Sequence, residues 1–244
     1  MPTFQDARLK IDRANKHIRD IERRIRSLED SYSATIQINP KFGYQEIKYD
    51  LSDKTAIEDI SLLIGDALHN MKCALDYGWL IILERYAAAA IGNKTQFPAY
   101  ASFDALEQAM KHAKIDILSP ALFNFILTKI KPYPGGNDAV WDVKQLNIFD
   151  KHRLLLPLIH YTGIRGLEME DESGELRKGS GTATMQPPPW YIRVADGWHV
   201  KEKGKPAIDV LFAEGVPAHH LNAPSFLEMY SAMILQTLEV LERF

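Results

Sequence analysis

Residues 65–80 read GDALHNMKCALDYGWL, a run of good helix formers that nonetheless carries a histidine, an asparagine, a lysine, a cysteine and an aspartate. The surrounding pattern, residues 53 to about 90, predicts one long helix that begins near Ser52 or Asp53 and ends before Gly92. At ~100° per residue, Leu63, Ile64, Leu68, Met71, Ala74, Leu75, Ile81 and Ile82 share one broad apolar arc. Asp66, His69, Cys73 and Asp76 stack along another, and Leu80 continues their line. Apolar residues close both ends of this polar strip. The spacing therefore predicts a helix packed on several sides at the centre of a bundle, with a buried polar core.

Upstream, Phe4, Ala7, Ile11, Ala14, Ile18, Ile21, Ile25 and Leu28 alternate in steps of three and four, the signature of a single apolar stripe. Thr3 with Asp6 fits a capping start. Eight Lys/Arg and six Asp/Glu interleave on the remaining faces, which reads as a solvated surface with i,i+4 pairs. Between the two helices, Ile36 and Ile38, then Ile47, Tyr49 and Leu51, alternate with polar residues around Pro-Lys-Phe-Gly, a β-hairpin signal over residues 34–51.

Downstream, helices are expected over Phe103–Ala113, from Ser119-Pro120 to Lys131, and near Asp138 to His152. Pro132-Tyr133-Pro134-Gly135-Gly136 forms a hard break between the last two. After Arg153 the texture turns to β. Leu154–Tyr161 reads as a strand run, and residues 163–186 as a loop or hairpin rich in Gly, Ser and Glu. Trp190–Val194 and Trp198–Val200 flank Ala-Asp-Gly as a hairpin, and Ile208–Ala213 reads as a further strand. Ser225 and Glu228 suggest a capping box for a final helix through Leu227, Tyr230, Ile234, Leu238 and Leu241. The expected fold is a single α+β domain over residues 1–244. It comprises a mainly helical bundle (1–153 plus 225–244) with an N-terminal hairpin and a small antiparallel sheet within 154–215, and the two β parts can pair into one sheet.

The chain has 244 residues, 46% hydrophobic and 25% charged, with a net charge of −3. Such a balance creates no global field toward nucleic acid or membrane, so any phosphate recognition must come from a local patch. The single Cys73 excludes an internal disulfide and a cysteine-based zinc site. MPTFQDARLK lacks the apolar core of a signal peptide, and no apolar run reaches membrane-spanning length, so the expected location is cytoplasmic.

Two constellations could carry chemistry. On the strip, Asp66, His69, Cys73 and Asp76, flanked by Asn70, Lys72 and Tyr77, could supply a base or ligands for a metal. The same residues could equally form a buried network that only ties helices together. The tetrad Asp150-Lys151-His152-Arg153 could be a site or a helix-end cap favoured by the macrodipole. His219-His220 reads as loop. Pro134-Gly135-Gly136 lacks the following Lys-Ser/Thr of a phosphate cradle, and Trp190, Tyr191 and Trp198 read as hairpin packing.

Together, "IGDALHNMKCALDY" and "LNIFDKHRLL" resemble an uncharacterised bacterial family whose helix reads roughly G-D-x-L-H-N-L-R-S-A-L-D-H and whose later motif is D-K-H-R. More distantly the chain is similar to the HEPN superfamily, helical bundles that include RNA-cleaving toxins and phage-defence factors. There, an arginine and a histidine separated by four to six residues act at the interface of a homodimer. The matching positions here are Lys72 and Tyr77. Lysine keeps the charge but loses the bidentate fork, and an ordinary tyrosine is a weak base at neutral pH.

The resemblance thus implies a homodimeric, catalytically weakened RNA- or protein-binding factor of stress or phage defence, with no cofactor. The alternatives are an active ribonuclease using His69 and Arg153, a metal-dependent hydrolase using Asp66, His69, Asp76 and His152, or two purely structural motifs. The residues in play for catalysis are His69, Lys72, Asp76, Tyr77, His152 and Arg153.

Overall fold

The apolar stripe of the first helix is buried along its length: Phe4, Ala7, Ile11, Ala14, Ile18, Ile21 and Leu28 all face the core. This helix, α1 (Phe4–Asp30), opens with the expected capping box, in which Thr3 Oγ1 accepts from the Asp6 amide and the Asp6 carboxylate accepts from the Thr3 amide. The computed structural model describes residues 2–51, 53, 55–152, 157–179 and 189–244; of His152, Pro157 and Tyr161 it describes only the backbone. Arg153, residues 154–156 of the expected strand run and residues 180–186 of the expected loop therefore lie outside the described residues.

Four long helices form the body. Helix α2 (Thr55–Tyr86) runs antiparallel to α1: Arg24 pairs with Asp59 near one end, and Arg85 lies over the Phe4 ring at the other. Helix α7 (Ala223–Glu242) is antiparallel to α1 as well, through Ser231 to Asn15 and Arg8 to Glu242. Helix α6 (Asp138–His152) lies on α2 and α7, with Tyr230 Oη donating to Asp142 (2.7 Å) and Asn137 to Thr237 (3.1 Å). Three shorter helices, α3 (Phe103–His112), α4 (Ile115–Leu118) and α5 (Pro120–Phe125), pack beside them, and α5 continues as a π turn through Ile130. Proline stands at the start of α5, as read from the sequence. Among the described residues no helix is long and apolar enough to cross a membrane.

Helix α2 touches α1, α6, α7 and the strand β3 (Pro157–Asp171), so its central position is as the spacing predicts. Two glycines make this possible. A Cβ on Gly78 would fall 2.8 Å from Leu238 Cδ2, so α7 approaches α2 more closely there than any larger residue permits. Gly65 serves α6 in the same way. Glycine in a helix interior costs roughly 1 kcal/mol of propensity relative to alanine, and close packing offsets that loss.

The β structure is α+β in layout but departs from the expected pairing. Strands β1 (Tyr32–Ile38) and β2 (Gln45–Leu51) pair antiparallel, with Ile36 opposite Ile47. A second sheet holds β3 (Pro157–Asp171), β4 (Leu176–Gly179) and β6 (Trp198–Phe212) in the order β4-β3-β6. Of the loop or hairpin expected over 163–186, the described part is a hairpin, with β3 and β4 antiparallel from Leu167 opposite Gly179 to Glu170 opposite Leu176. Gly166 (φ +74°) on β3 and Gly204 (φ +68°) on β6 adopt the left-handed conformation within continuous register, and a Cβ on Gly204 would meet the Arg165 carbonyl at 2.7 Å; the register shifts lie between Tyr161 and Gly163 and between Glu168 and Met169.

Strand β5 (Trp190–Arg193) does not pair with Trp198–Val200 as Ala-Asp-Gly suggested. It crosses to β2, placing Trp190 opposite Tyr49 and stacking on the Tyr32 ring at 4.9 Å between centroids. Burial of the indole outweighs local turn chemistry, since an aromatic side chain contributes far more through buried area than a two-residue turn does. The β segments accordingly form two sheets. The final helix is also capped differently: Asn222 is the N-cap and accepts from the Ser225 amide (3.1 Å), with Pro224 in the first turn, so Ser225 lies inside the helix.

His17 sits on α1 facing α2. Its side chain is buried and its Nδ1 lacks a hydrogen-bond partner among the described residues. Burial pushes its pKa below the ordinary 6.5, and Asp66 offsets the shift only in part. The unfolded chain therefore takes up a proton first as pH falls, so stability declines as pH drops from about 6.5 through the lower folded value. Urea unfolding between pH 7.5 and 5.5 should show His17→Leu losing less stability than the parent chain over that interval; parallel losses would remove the assignment.

Candidate functional site

The strip on α2 faces outward between two neighbouring helices, so the part of the expected polar centre that His69 and Asp76 supply is not closed off from solvent. Asp66 and His69 are exposed, while Asn70, Lys72, Cys73, Asp76 and Tyr77 are half-buried. The strip stays wet because α1 covers one shoulder of α2 and α6 the other. The residues between them face the valley.

Toward α6, the two motifs meet. Gly65 leaves the space that the Asp150 carboxylate fills: a Cβ there would lie 2.8 Å from Asp150 Cγ. Three residues earlier on α6, Asn147 brings its Oδ1 to 3.4 Å from His69 Nδ1. Asn147 is a buried polar residue on the same side of α6 as Val140, Val143 and Leu146. The opposite ring nitrogen, Nε2, lies 3.4 Å from Cys73 Sγ. Burial pushes the Cys73 thiol up from its ordinary range, with the Lys10, Lys72 and Lys151 charges acting in the other direction.

Lys72 lies further round this shoulder. It pairs with Asp76, whose second carboxylate oxygen accepts the Phe97 amide at 3.0 Å. Lys144 from α6 donates to the Ala99 carbonyl (2.5 Å) and lies over the Tyr100 ring. Burial, reinforced by the neighbouring Lys72, lowers its pKa. Lys72 is thus part of a polar tie between α2 and the 97–100 loop.

Toward α1, an open groove of about 580 Å³ separates the two helices. Asp6, Leu9, Lys10 and Arg13 line it from α1, and Asn70, Tyr77 and Leu80 from α2. Lys10 Nζ lies 5.9 Å from the centre of the Tyr77 ring. Arg13 makes no ion pair among the described residues.

Of the six residues marked in the sequence for catalysis, the structure therefore separates Lys72 and Asp76 from Tyr77, on opposite shoulders of α2, with His69 between them. The His152 side chain and Arg153 lie outside what is described. Among the described residues, no group of three His, Cys, Asp or Glu side chains is placed to hold a metal ion. The metal-hydrolase arrangement around Asp66, His69 and Asp76 is not assembled by these described residues. Sequence reading missed Asn147, although a lone amide on an otherwise apolar helix face was the available signal. It also treated Lys10 and Arg13 as ordinary solvated charges. His219 and His220 pack edge-to-face on each other in a turn, away from α2.

Comparison with protein-family models, with curated proteins and with solved structures gave no match to this chain.

The Gly65–Asp150 contact has a direct consequence. Gly65→Ala should lower stability by about 1–3 kcal/mol through overpacking. In an Asp150→Ala background the same change should be neutral or favourable, because only helix propensity then remains. A double-mutant cycle followed by urea unfolding measures this; strictly additive effects would show that the two residues do not touch.

Proposed function

We propose that the chain is a HEPN-like RNA-binding factor that holds single-stranded RNA in the α1–α2 groove without cleaving it. The observation that carries this reading is the separation of Lys72 from Tyr77. Phosphodiester cleavage needs a base and a cation on the same phosphate. Lys72 is tied to Asp76 on one shoulder of the helix, whereas Tyr77 faces the groove on the other. Within one copy the two cannot converge.

The groove supports retention instead. Lys10 and Arg13 offer two phosphate contacts, and Tyr77 offers an aromatic face for a base, the pairing used by sequence-tolerant single-strand binders. Asn70 adds an amide on the same wall, and Asp6 limits the site to the Arg13 side. Because the net charge is −3, binding rests on this local patch alone. On the same reading the working form is a homodimer in the cytoplasm of a bacterium.

Fluorescence anisotropy with a labelled mixed-sequence RNA single strand tests this directly. Binding should weaken steeply with salt. Lys10→Ala with Arg13→Ala should reduce the slope of log affinity against log salt by about 1.4, as expected for two single-strand phosphates. Tyr77→Ala should cost about 1–3 kcal/mol of affinity, with the RNA recovered intact throughout. Absence of binding at low salt, or binding indifferent to all three substitutions, would exclude the groove; shortened RNA would exclude the loss of cleavage.

A further inference from the structure

The His69 contacts stand apart from RNA retention, which makes no use of them. Cys73, His69 and Asn147 form a line: Sγ to Nε2 at 3.4 Å, then Nδ1 to Oδ1 at 3.4 Å. In the tautomer that carries its proton on Nδ1, His69 donates to Asn147 Oδ1 and leaves the Nε2 lone pair facing the thiol. Asn147 is 3% exposed and cannot readily swing away. Its helix is seated on α2 by the Gly65–Asp150 contact. His69 itself is open to solvent and can exchange protons.

A nucleophile, a base and a group that orients the base, in that order, define an activated nucleophile by geometry, whatever the fold. The distances are long for a working triad, as is usual before a substrate closes the site. Cys73 also has an approach for substrate. Cys73 is half-exposed, on the helix face that also carries Asn70, Tyr77 and Leu80.

We propose that Cys73, His69 and Asn147 form a nucleophilic thiol site that accepts the acyl group of an ester or thioester. Cys73 Sγ attacks the acyl carbonyl carbon while its proton passes to His69 Nε2. The tetrahedral intermediate collapses with cleavage of the bond to the leaving oxygen or sulfur, which takes the proton from Nε2. The acyl group remains on Sγ as a thioester. Water then attacks this carbonyl, giving a proton to Nε2, and the thiol departs with that proton as the carboxylic acid is released. No oxidant, reductant or metal enters the balance. Cys73 and His69 are the catalytic residues, and Asn147 is a positioning residue. Since burial keeps the resting thiol protonated, the base beside it is required for attack.

The test uses the whole chain with p-nitrophenyl acetate, read as nitrophenolate release and as an acetyl adduct located by mass spectrometry. A burst of about one equivalent with the adduct on Cys73 is expected. Cys73→Ser should abolish the adduct, and His69→Ala should slow acylation by roughly a hundredfold or more. Asn147→Leu should lower the rate and shift the pH profile, whereas Asn147→Asp, which presents only acceptors, should restore both; circular dichroism confirms that each variant is folded. If Asn147→Leu does not fold, the His69→Ala rate and the Asn147→Asp profile still decide. Release unchanged in Cys73→Ser or His69→Ala, or an adduct elsewhere, overturns the site. RNA binding is measured separately and does not change with Cys73→Ser, so the two readings fail independently.

Discussion

Where α2 meets α6, a missing side chain on one helix is filled by a carboxylate from the other. Gly65 has no Cβ, and the Asp150 carboxyl occupies the place a Cβ would need. An alanine there would require the Asp150 carboxyl to turn aside, so the glycine is what leaves that carboxyl its seat against α2. Once α6 is held this close, Asn147 reaches His69, and Lys144 reaches the loop that also binds Asp76. The polar arrangement on α2 thus depends on a steric fact at its N-terminal half. Gly78 repeats the device toward α7, where Leu238 and Phe4 fill the vacated space. A central helix that must touch several neighbours at short range uses small residues where they cross.

The exposed strip follows from the same geometry. With α1 on one shoulder of α2 and α6 on the other, the residues between them have no helix above. Polar side chains at these positions avoid the desolvation penalty that a closed core would impose. The strip is then divided by the helical repeat. Lys72 and Asp76 turn toward α6 and the 97–100 loop, where they satisfy each other and a backbone amide. Asn70 and Tyr77 turn toward α1 and the groove. His69 and Cys73 lie between, where a base and a thiol can meet while both remain reachable. Residues five apart in sequence, such as Lys72 and Tyr77, are separated by ~140° around the helix, which is why a linear motif spacing does not translate into one site within a copy.

The β segments brace the bundle at its other end. Glu29 at the end of α1 accepts two hydrogen bonds from Arg165 on β3 (both 2.8 Å), and Lys205 on β6 reaches Asp30 (2.7 Å). Lys203 donates to the Ala34 carbonyl of β1 (2.7 Å), and Tyr49 Oη to the Lys203 carbonyl, so the two sheets are tied as well. β5 completes this arrangement by carrying Trp190 from the C-terminal half into the first sheet. Exposed ion pairs of this kind contribute little individually. Their effect is to select one register among the sheets, while the buried Tyr49, Ile47 and Trp190 supply the hydrophobic stabilisation.

What the sequence by itself determined is local and periodic. The stripe from Phe4 to Leu28, the Thr3–Asp6 cap, the apolar arc of α2, the proline at the start of α5 and the apolar line to Leu241 each arise from residues within one or two turns of one another. The helical part of the α+β architecture was legible for that reason, as was the membership of Asp66, His69 and Cys73 in one strip. Tertiary structure decided whatever depends on a partner distant in the chain. Trp190 left its apparent hairpin for β2 because an indole gains more from a buried aromatic neighbour than a turn gains from good φ/ψ. The strip faces solvent because two helices cover its flanks and not its crest, a fact absent from any helical wheel. Asn147 became the partner of His69, and Lys10 the neighbour of Tyr77, only when α6 and α1 were placed against α2. Periodicity states which residues share a face; only the packing of whole elements states what that face meets.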